Sequence, residues 1–245
     1  MNKTVIVLRS GLFALFQLII TPPFTLISVM TWPLAPLTRY RVISQWARCL
    51  MWALRVFCGV RYQVIGAEHI PTQPCIIFAK HQSAWETLAF QLIFPPQVWV
   101  LKRELLYIPF FGWGLAMLSP IAINRKQWRS AITEMVRQGQ QRLRAGFCIV
   151  VFPEGTRIAP GARGTYRAGG AHVAIQTQTP LLPVTHNAGW CWGRHSFLKR
   201  PGLITVHIGP PLTPHTAEDA KQLTQRAAEW IEAHIPPPNS RLPSP

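Results

Sequence analysis

Between Arg9 and Arg39 the chain carries no charged side chain, and no Asp or Glu occurs before Glu68. A run of that length must find apolar surroundings. About 20 such residues in a helix already cover the ~30 Å core of a bilayer. Pro22-Pro23 falls inside the run. Two shorter helices meeting at residues 21–23, or one kinked span, are the two expectations this leaves open. A cleaved signal peptide fits poorly, because the run is long, lacks an A-x-A site and is followed by arginines. Lys3 and Arg9 precede it and Arg39 and Arg41 follow it. Basic flanks on both sides give no orientation for a single crossing and favour a re-entrant or one-leaflet hairpin.

Next, Ile43, Trp46, Ala47, Leu50, Met51, Leu54, Phe57 and Cys58 recur at steps of three and four, while Arg41, Arg48 and Arg55 recur every seven residues. This is an amphipathic helix with a basic stripe. It suits contact with an anionic membrane surface, and equally suits packing on its own domain with the arginines solvated.

The formal charge of +16 requires an acidic partner, whether nucleic acid, an anionic membrane or a phosphorylated substrate. No helix-turn-helix, zinc-finger or RNA-recognition pattern is present, so nucleic acid is set aside. The ten tryptophans fit a membrane surface better. Cys49, Cys58, Cys75, Cys148 and Cys191 form an odd set without a C-x-x-C pair. They read as reduced core residues and imply a cytosol-facing domain.

From about residue 70 short apolar runs alternate with helical patterns. Strands are expected at 75–79, 98–102, 121–124, 147–152, 181–186 and 203–208. Helices are expected at 84–94, 128–145, 168–178 and 216–235. This predicts an α/β fold, a mixed sheet covered by helices, preceded by a membrane-associated helical hairpin. The expected organisation is residues 1–62 as anchoring and amphipathic helices, 63–235 as the α/β domain and 236–245 as a disordered Pro-rich tail. Sites in such sheets lie at the carboxyl ends of strands. There the sequence puts His81, Lys102 with Arg103, Asn124 with Arg125, and Glu154 with Arg157.

Acid is scarce, and between His69 and Ala217 only Glu86, Glu104, Glu134 and Glu154 occur. His81 and Glu86 are five residues apart. They can meet only if His81 lies in the turn before a helix, since five helical steps diverge. Ser83-Ala84-Trp85-Glu86 has the capping-box pattern that would make such a turn, with Ser83 as N-cap. Capping alone would also explain Glu86. No second histidine or cysteine has zinc-ligand spacing, so no metal is expected. No G-x-S-x-G elbow is present either. A histidine base with a carboxylate partner, plus basic groups for a phosphate, suits direct acyl transfer from a thioester to a hydroxyl.

Four blocks carry a family resemblance. Lys80-His81-Gln82-Ser83-Ala84-Trp85-Glu86 resembles the H-x4-D block of the glycerolipid acyltransferases, with Glu86 in place of the usual Asp. Lys102-Arg103-Glu104-Leu105 with Ile108-Pro109-Phe110-Phe111-Gly112 resembles the second block. Phe152-Pro153-Glu154-Gly155-Thr156-Arg157 matches the F-P-E-G-T-R block, and Leu182-Pro183-Val184 resembles the fourth. They stand in the family's order over roughly residues 70–210, most like the bacterial branch that acylates 1-acylglycerol 3-phosphate. The resemblance implies His81 as general base with Glu86 as its partner, and Lys102, Arg103 and Arg157 around the phosphate. It implies that Glu154, Gly155 and Thr156 order the acceptor. It also implies a two-helix N-terminal anchor, lysophosphatidate as acceptor, acyl-CoA or acyl carrier protein as co-substrate, no other cofactor, and an inner-membrane enzyme facing the cytoplasm. Other lysolipids, such as a lyso-ornithine lipid, remain open as acceptors, as does a non-catalytic role in binding anionic lipid. Arg163, Arg167 and the Gly164-Thr165-Tyr166 stretch read either as a mobile loop or as a lid over the phosphate.

Overall fold

The computed structural model describes residues 2–124, 128–215 and 217–238. The uncharged run forms one helix, α1 (Lys3–Met30), which continues through Pro22 and Pro23. Each proline removes one backbone donor. Hydroxyl bonds from Thr21 to the Gln17 carbonyl (2.6 Å), Thr25 to Thr21 (3.0 Å) and Ser28 to Phe24 (2.7 Å) line the weakened stretch. Of the two expectations, two helices meeting at 21–23 is therefore set aside in favour of a single span. The chain turns instead at residues 31–35, then forms α2 (Pro36–Ile43) and α3 (Gln45–Cys58). The hairpin is thus made by α1 and α3, which pack together.

The apolar face of α3 buries Ala47, Leu50, Leu54 and Cys58 in the common core. Each fully buried leucine is worth about 1.5–3 kcal/mol. Of the two readings of this helix, packing on its own domain takes the apolar face. Arg41, Arg48, Arg55, Trp52 and Val56 remain on the outer side. Gly59, in the left-handed region at φ 68°, ends α3.

The rest of the order is β1 (Val60–Ile65), β2 (Ile76–Ala79), α4 (Trp85–Ile93), β3 (Gln97–Lys102), α5 (Phe111–Met117), β4 (Ile121–Ile123) and α6 (Trp128–Arg144). It continues with β5 (Cys148–Val151), α7 (Gly169–Thr177), β6 (Leu181–His186), α8 (Ala188–Cys191), β7 (Gly202–Ile208) and α9 (Ala220–Ala233). The strands form one sheet in the order β1-β7-β6-β2-β5-β3-β4. β6, β2, β5, β3 and β4 run parallel, while β7 is antiparallel to β6 and carries β1 parallel to itself. The central strands β2, β5 and β6 are buried throughout, as continuous apolar runs in parallel sheets are. Helices α1, α3 and α4 pack together, as do α6, α7 and α9.

The boundary expected after residue 62 falls inside β1, a strand the sequence reading missed. Phe13 of α1 belongs to the same core as the sheet, and the Lys199 amide donates to the Ser10 hydroxyl at 2.9 Å. The N-terminal helices are therefore built into the body of the fold. Asp219, expected inside a helix over 216–235, instead caps α9 through a reciprocal box with Gln222. The start of the expected tail is held, because the Asn187 amide donates to the Pro237 carbonyl at 2.7 Å. Residues 239–245 and Arg125 lie outside the described residues.

Although α1 is fastened at Ser10 and Phe13, it exposes Leu8, Leu12, Leu15, Leu18, Ile19, Leu26 and Met30 along its outer side. Apolar burial is not screened by salt, whereas charge pairing across water is screened within about 3 Å at ~1 M. The full chain is expected to stay with membranes through a ~1 M salt wash and to be released by detergent. Release by salt alone, read by sedimentation, would show that this apolar side is not inserted in lipid.

Candidate active site

The polar groups gather at the carboxyl ends of the parallel strands. β2 ends at Ala79, and its ladder runs on one step further through the Lys80 amide to the Val184 carbonyl at 3.0 Å. His81 follows in the turn before α4. Its backbone is held on both sides by the F-P-E-G-T-R segment and the residue that follows it. The His81 amide donates to Glu154 Oε2 at 2.8 Å, and the His81 carbonyl accepts from the Ile158 amide at 2.7 Å. Its ring stacks on Phe152 with centroids 4.1 Å apart and planes 12° from parallel. A bulky imidazole so gripped has little rotamer freedom left to lose on binding.

Glu86, in the first turn of α4, reaches back to this loop. Its Oε1 accepts from His81 Nδ1 at 2.8 Å, from the Gln82 amide at 2.9 Å and from the Ser83 amide at 2.8 Å. The carboxylate can only accept, so Nδ1 carries the proton and Nε2 is left as the basic nitrogen. Capping and orienting, posed by the sequence as alternatives, are performed by the same oxygen. The cap itself differs from expectation. α4 starts one residue later, with Ala84 as N-cap, and the Ser83 hydroxyl accepts from the Trp85 amide at 3.0 Å.

Behind Glu86 lies His186, at the end of β6 and fully buried. Its Nδ1 accepts from the Ala188 amide at 3.2 Å, so its Nε2 carries the proton and donates to the Lys80 carbonyl at 3.0 Å. This fixes His186 as the neutral ring, and burial lowers its pKa further. Burial alone would raise the Glu86 carboxyl. The N–H end of the neutral His186 ring, the His81 imidazole and the Ser83 amide outweigh it and hold that carboxyl below its ordinary value. Glu86 Oε2 has no hydrogen-bond partner among the described residues and lies 3.9 Å from His186 Nε2.

His81 lines a cavity of about 350 Å³. Its walls are mostly apolar and come from α1 (Phe24, Thr25, Ser28), α4 (Leu88), β3 (Trp99, Leu101) and α5 (Phe111, Gly114, Leu115). Lys102, Gly155 and Arg157 complete the wall beside Phe152. Lys102 and Arg157 make no ion pair among the described residues. Gly155 sits at φ 67°, a conformation glycine adopts freely, and turns the chain between Glu154 and Arg157.

The other expected site residues stand elsewhere. Glu154 is buried and uses both oxygens internally, one on the His81 amide and one on Lys80 Nζ at 3.1 Å. Burial pushes its carboxyl above its ordinary value against the pull of those two donors. It does not line the cavity, and the reading that it orders the acceptor directly gives way to one in which it fixes His81. Arg103 is exposed and off the cavity wall. Its charge acts on Glu134, whose carboxyl is held down at about 2 chiefly by Arg137 and Gln138. Thr156 is exposed and also outside the wall. The 163–167 loop is tied down. The Arg167 amide donates to the Pro153 carbonyl at 3.0 Å and the Tyr166 hydroxyl to Glu232 Oε1 at 2.7 Å. Gly164 packs so near Glu154 that a Cβ there would stand 2.9 Å from Oε1.

Sequence reasoning passed over Glu232 and the α1 wall, named Lys80 only within the first block and Tyr166 only as part of the loop or lid, and read His186 as structural. For Glu232 a signal existed. It continues the buried stripe of Ala220, Leu223, Thr224, Ala227, Ala228 and Ile231 along α9, where an acid is out of place.

A family model described as Acyltransferase matches residues 61–187. The chain belongs to the Acyltransferase family. The 1-acyl-sn-glycerol-3-phosphate acyltransferase of Pseudomonas aeruginosa is 41% identical over 252 residues, which covers 99% of this chain and 97% of that protein. The mouse 1-acyl-sn-glycerol-3-phosphate acyltransferase alpha is 31% identical over 68% of this chain, which spans 60% of the mouse protein. The crystal structure of the 1-acyl-sn-glycerophosphate (LPA) acyltransferase PlsC from Thermotoga maritima superposes with a TM-score of 0.78 at 20% identity, covering 95% of each chain. This acyltransferase therefore shares that fold, and its own chain carries the mixed sheet and a long N-terminal apolar helix.

The Glu86 geometry yields a direct test. Glu86→Gln keeps an oxygen for the Ser83 amide but removes the negative charge beside His81. Thermal stability should stay close to wild type while turnover falls roughly 10²–10⁴-fold, the scale of losing a base's charged partner. Equal turnover by the two proteins would reduce Glu86 to a helix cap.

Proposed function

We propose that this acyltransferase moves an acyl chain from a thioester to the sn-2 hydroxyl of 1-acylglycerol 3-phosphate, giving phosphatidic acid. The observation that carries the reading is the His81 imidazole, its Nδ1 held by Glu86, on the wall of an apolar cavity beside Lys102 and Arg157. In this mechanism His81 Nε2 takes the hydroxyl proton as the oxygen attacks the thioester carbonyl. The ester C–O bond forms, the C–S bond breaks, and the proton passes from the imidazolium to the leaving thiolate. Glu86 stabilises the imidazolium between those steps. The acyl chain takes the apolar cavity, and Lys102 and Arg157 hold the phosphate. The thioester is already activated, so no further cofactor or metal is required.

The donor is acyl-CoA or acyl carrier protein, and the thiol released is the carrier's own. The exposed side of α1 inserts into one leaflet of the inner membrane, with Arg41, Arg48 and Arg55 toward its anionic surface. The five free cysteines fit a catalytic face on the reducing, cytoplasmic side. Incubation with labelled acyl-CoA or acyl carrier protein and a panel of lysophosphatidate, lyso-ornithine lipid and monoacylglycerol tests the whole reading. Transfer to lysophosphatidate should dominate. Preference for lyso-ornithine lipid would reassign the acceptor, and absence of transfer to any of them would leave only a lipid-binding role.

Arg157 provides the sharper check. An arginine can grip a phosphate through two parallel hydrogen bonds, whereas lysine supplies a point charge. Arg157→Lys should lower kcat/KM for lysophosphatidate about ten- to hundredfold, matching the loss of one charge-assisted bond of ~1.5–3 kcal/mol. Use of monoacylglycerol should change little. A proportional loss on both acceptors would make Arg157 structural and move the phosphate to Lys102.

A further inference from the structure

The loop that carries His81 is reached from the far end of the chain. Lys80 is fully buried, and its Nζ stands 3.1 Å from Glu154 Oε1 and 2.7 Å from Glu232 Oε1. Glu232 lies in the last turn of α9 and also accepts from the Tyr166 hydroxyl at 2.7 Å. The Lys80 ammonium lies over the Tyr166 ring, 5.9 Å from its centroid. One lysine thus serves two carboxylates, with Lys80 and Glu154 fully buried and Glu232 largely so. The second oxygen of Glu154 is the acceptor for the His81 amide.

We infer that Glu232 is a positioning residue for acyl transfer, acting through Lys80 and Glu154 on the backbone of His81. A buried ammonium must satisfy its donors from whatever carboxylates it can reach. With Glu232 in place, Lys80 is shared, and Glu154 keeps one oxygen for each of its two donors. Without Glu232, Lys80 has Glu154 alone. The pair draws together and competes with the His81 amide for the same carboxylate. His81 then shifts against Phe152 and the cavity wall. A small displacement of the base, caused by a change well away from the chemistry, is enough to slow a proton-transfer step. Tyr166 enters the same chain, because its hydroxyl orients the Glu232 oxygen that Lys80 uses. Docking of the segment after α9 by Asn187 holds the helix end in register with this cluster.

This inference rests on His81 as the base, and the experiment separates the two. Steady-state kinetics with lysophosphatidate are measured for Glu232→Gln, Glu232→Ala, Glu154→Gln and the double variant Glu154→Gln/Glu232→Ala, each checked for folding by thermal melting. Glu232→Ala should lower kcat roughly ten- to hundredfold with KM within about twofold of wild type, because only the base is displaced. Glu232→Gln, which still accepts from Tyr166 and Lys80, should recover much of that loss. If the alanine variant fails to fold, Glu232→Gln alone decides the matter, and a wild-type kcat for it then overturns the inference. Specifically, Glu232→Gln below wild type in kcat with unchanged KM and melting supports the inference. In the Glu154→Gln background Glu232→Ala should cost little more, since the path to His81 is already cut. The inference is overturned if a folded Glu232→Gln and a folded Glu232→Ala both keep wild-type kcat, or if the loss is as large in the Glu154→Gln background as in wild type. His81→Ala measured alongside keeps the outcomes distinct. Its inactivity with a fully active Glu232 series would remove the positioning role alone, while an active His81→Ala would remove the base itself.

Discussion

A single carboxylate oxygen, Glu86 Oε1, takes hydrogen bonds from one imidazole and two backbone amides within 2.9 Å. Those bonds set the start of α4, the path of the turn before it and the tautomer of His81 together. A buried carboxylate without such donors would protonate or unfold its surroundings. Here the donors arrive because β2 stops at Ala79 and the chain must cross from the sheet to α4 in a few residues. The His81–Glu86 geometry and the helix entry therefore share one physical cause.

The same economy of charge governs the second buried acid. Glu154 joins the F-P-E-G-T-R turn to the His81 amide and passes its remaining oxygen to Lys80, which also holds Glu232. In a chain with 25 basic and nine acidic residues, these three glutamates are placed where cations or amides surround them. Lys102 and Arg157 are left on the cavity wall without carboxylate partners among the described residues, the arrangement on which the proposed phosphate contact rests. The cavity itself depends on the N-terminal helices, since α1 supplies one of its walls. In the proposed function, membrane attachment and acyl binding would therefore draw on the same helix.

The six strands and four helices expected from about residue 70 onward all occur, with boundaries shifted by a few residues, because continuous apolar runs and helical periodicity report burial directly. β1 escaped notice, since its Arg61, Tyr62 and Gln63 give an edge strand no apolar run. Propensity at Pro22-Pro23 left two helices or one span open, and tertiary packing against α3 and α5 with the hydroxyl bonds of Thr21 and Thr25 accompanies the single span. The His81–Glu86 contact was legible because only a turn lets residues five apart meet. The internal use of Glu154 was not, since adjacency to Arg157 in sequence says nothing about which way a side chain points after a left-handed glycine. Arg103 failed for a similar reason: one step past Lys102, it leaves the wall that Lys102 lines.

The central claim is that a fixed His81, with Nε2 free, removes the proton from the acceptor hydroxyl. The most direct measurement is the rate of phosphatidic acid formation by folded His81→Ala under saturating acyl donor and lysophosphatidate. The account requires a rate about 10²–10⁴-fold below wild type, with lysophosphatidate binding retained. A near-wild-type rate in a protein with native melting behaviour would contradict it.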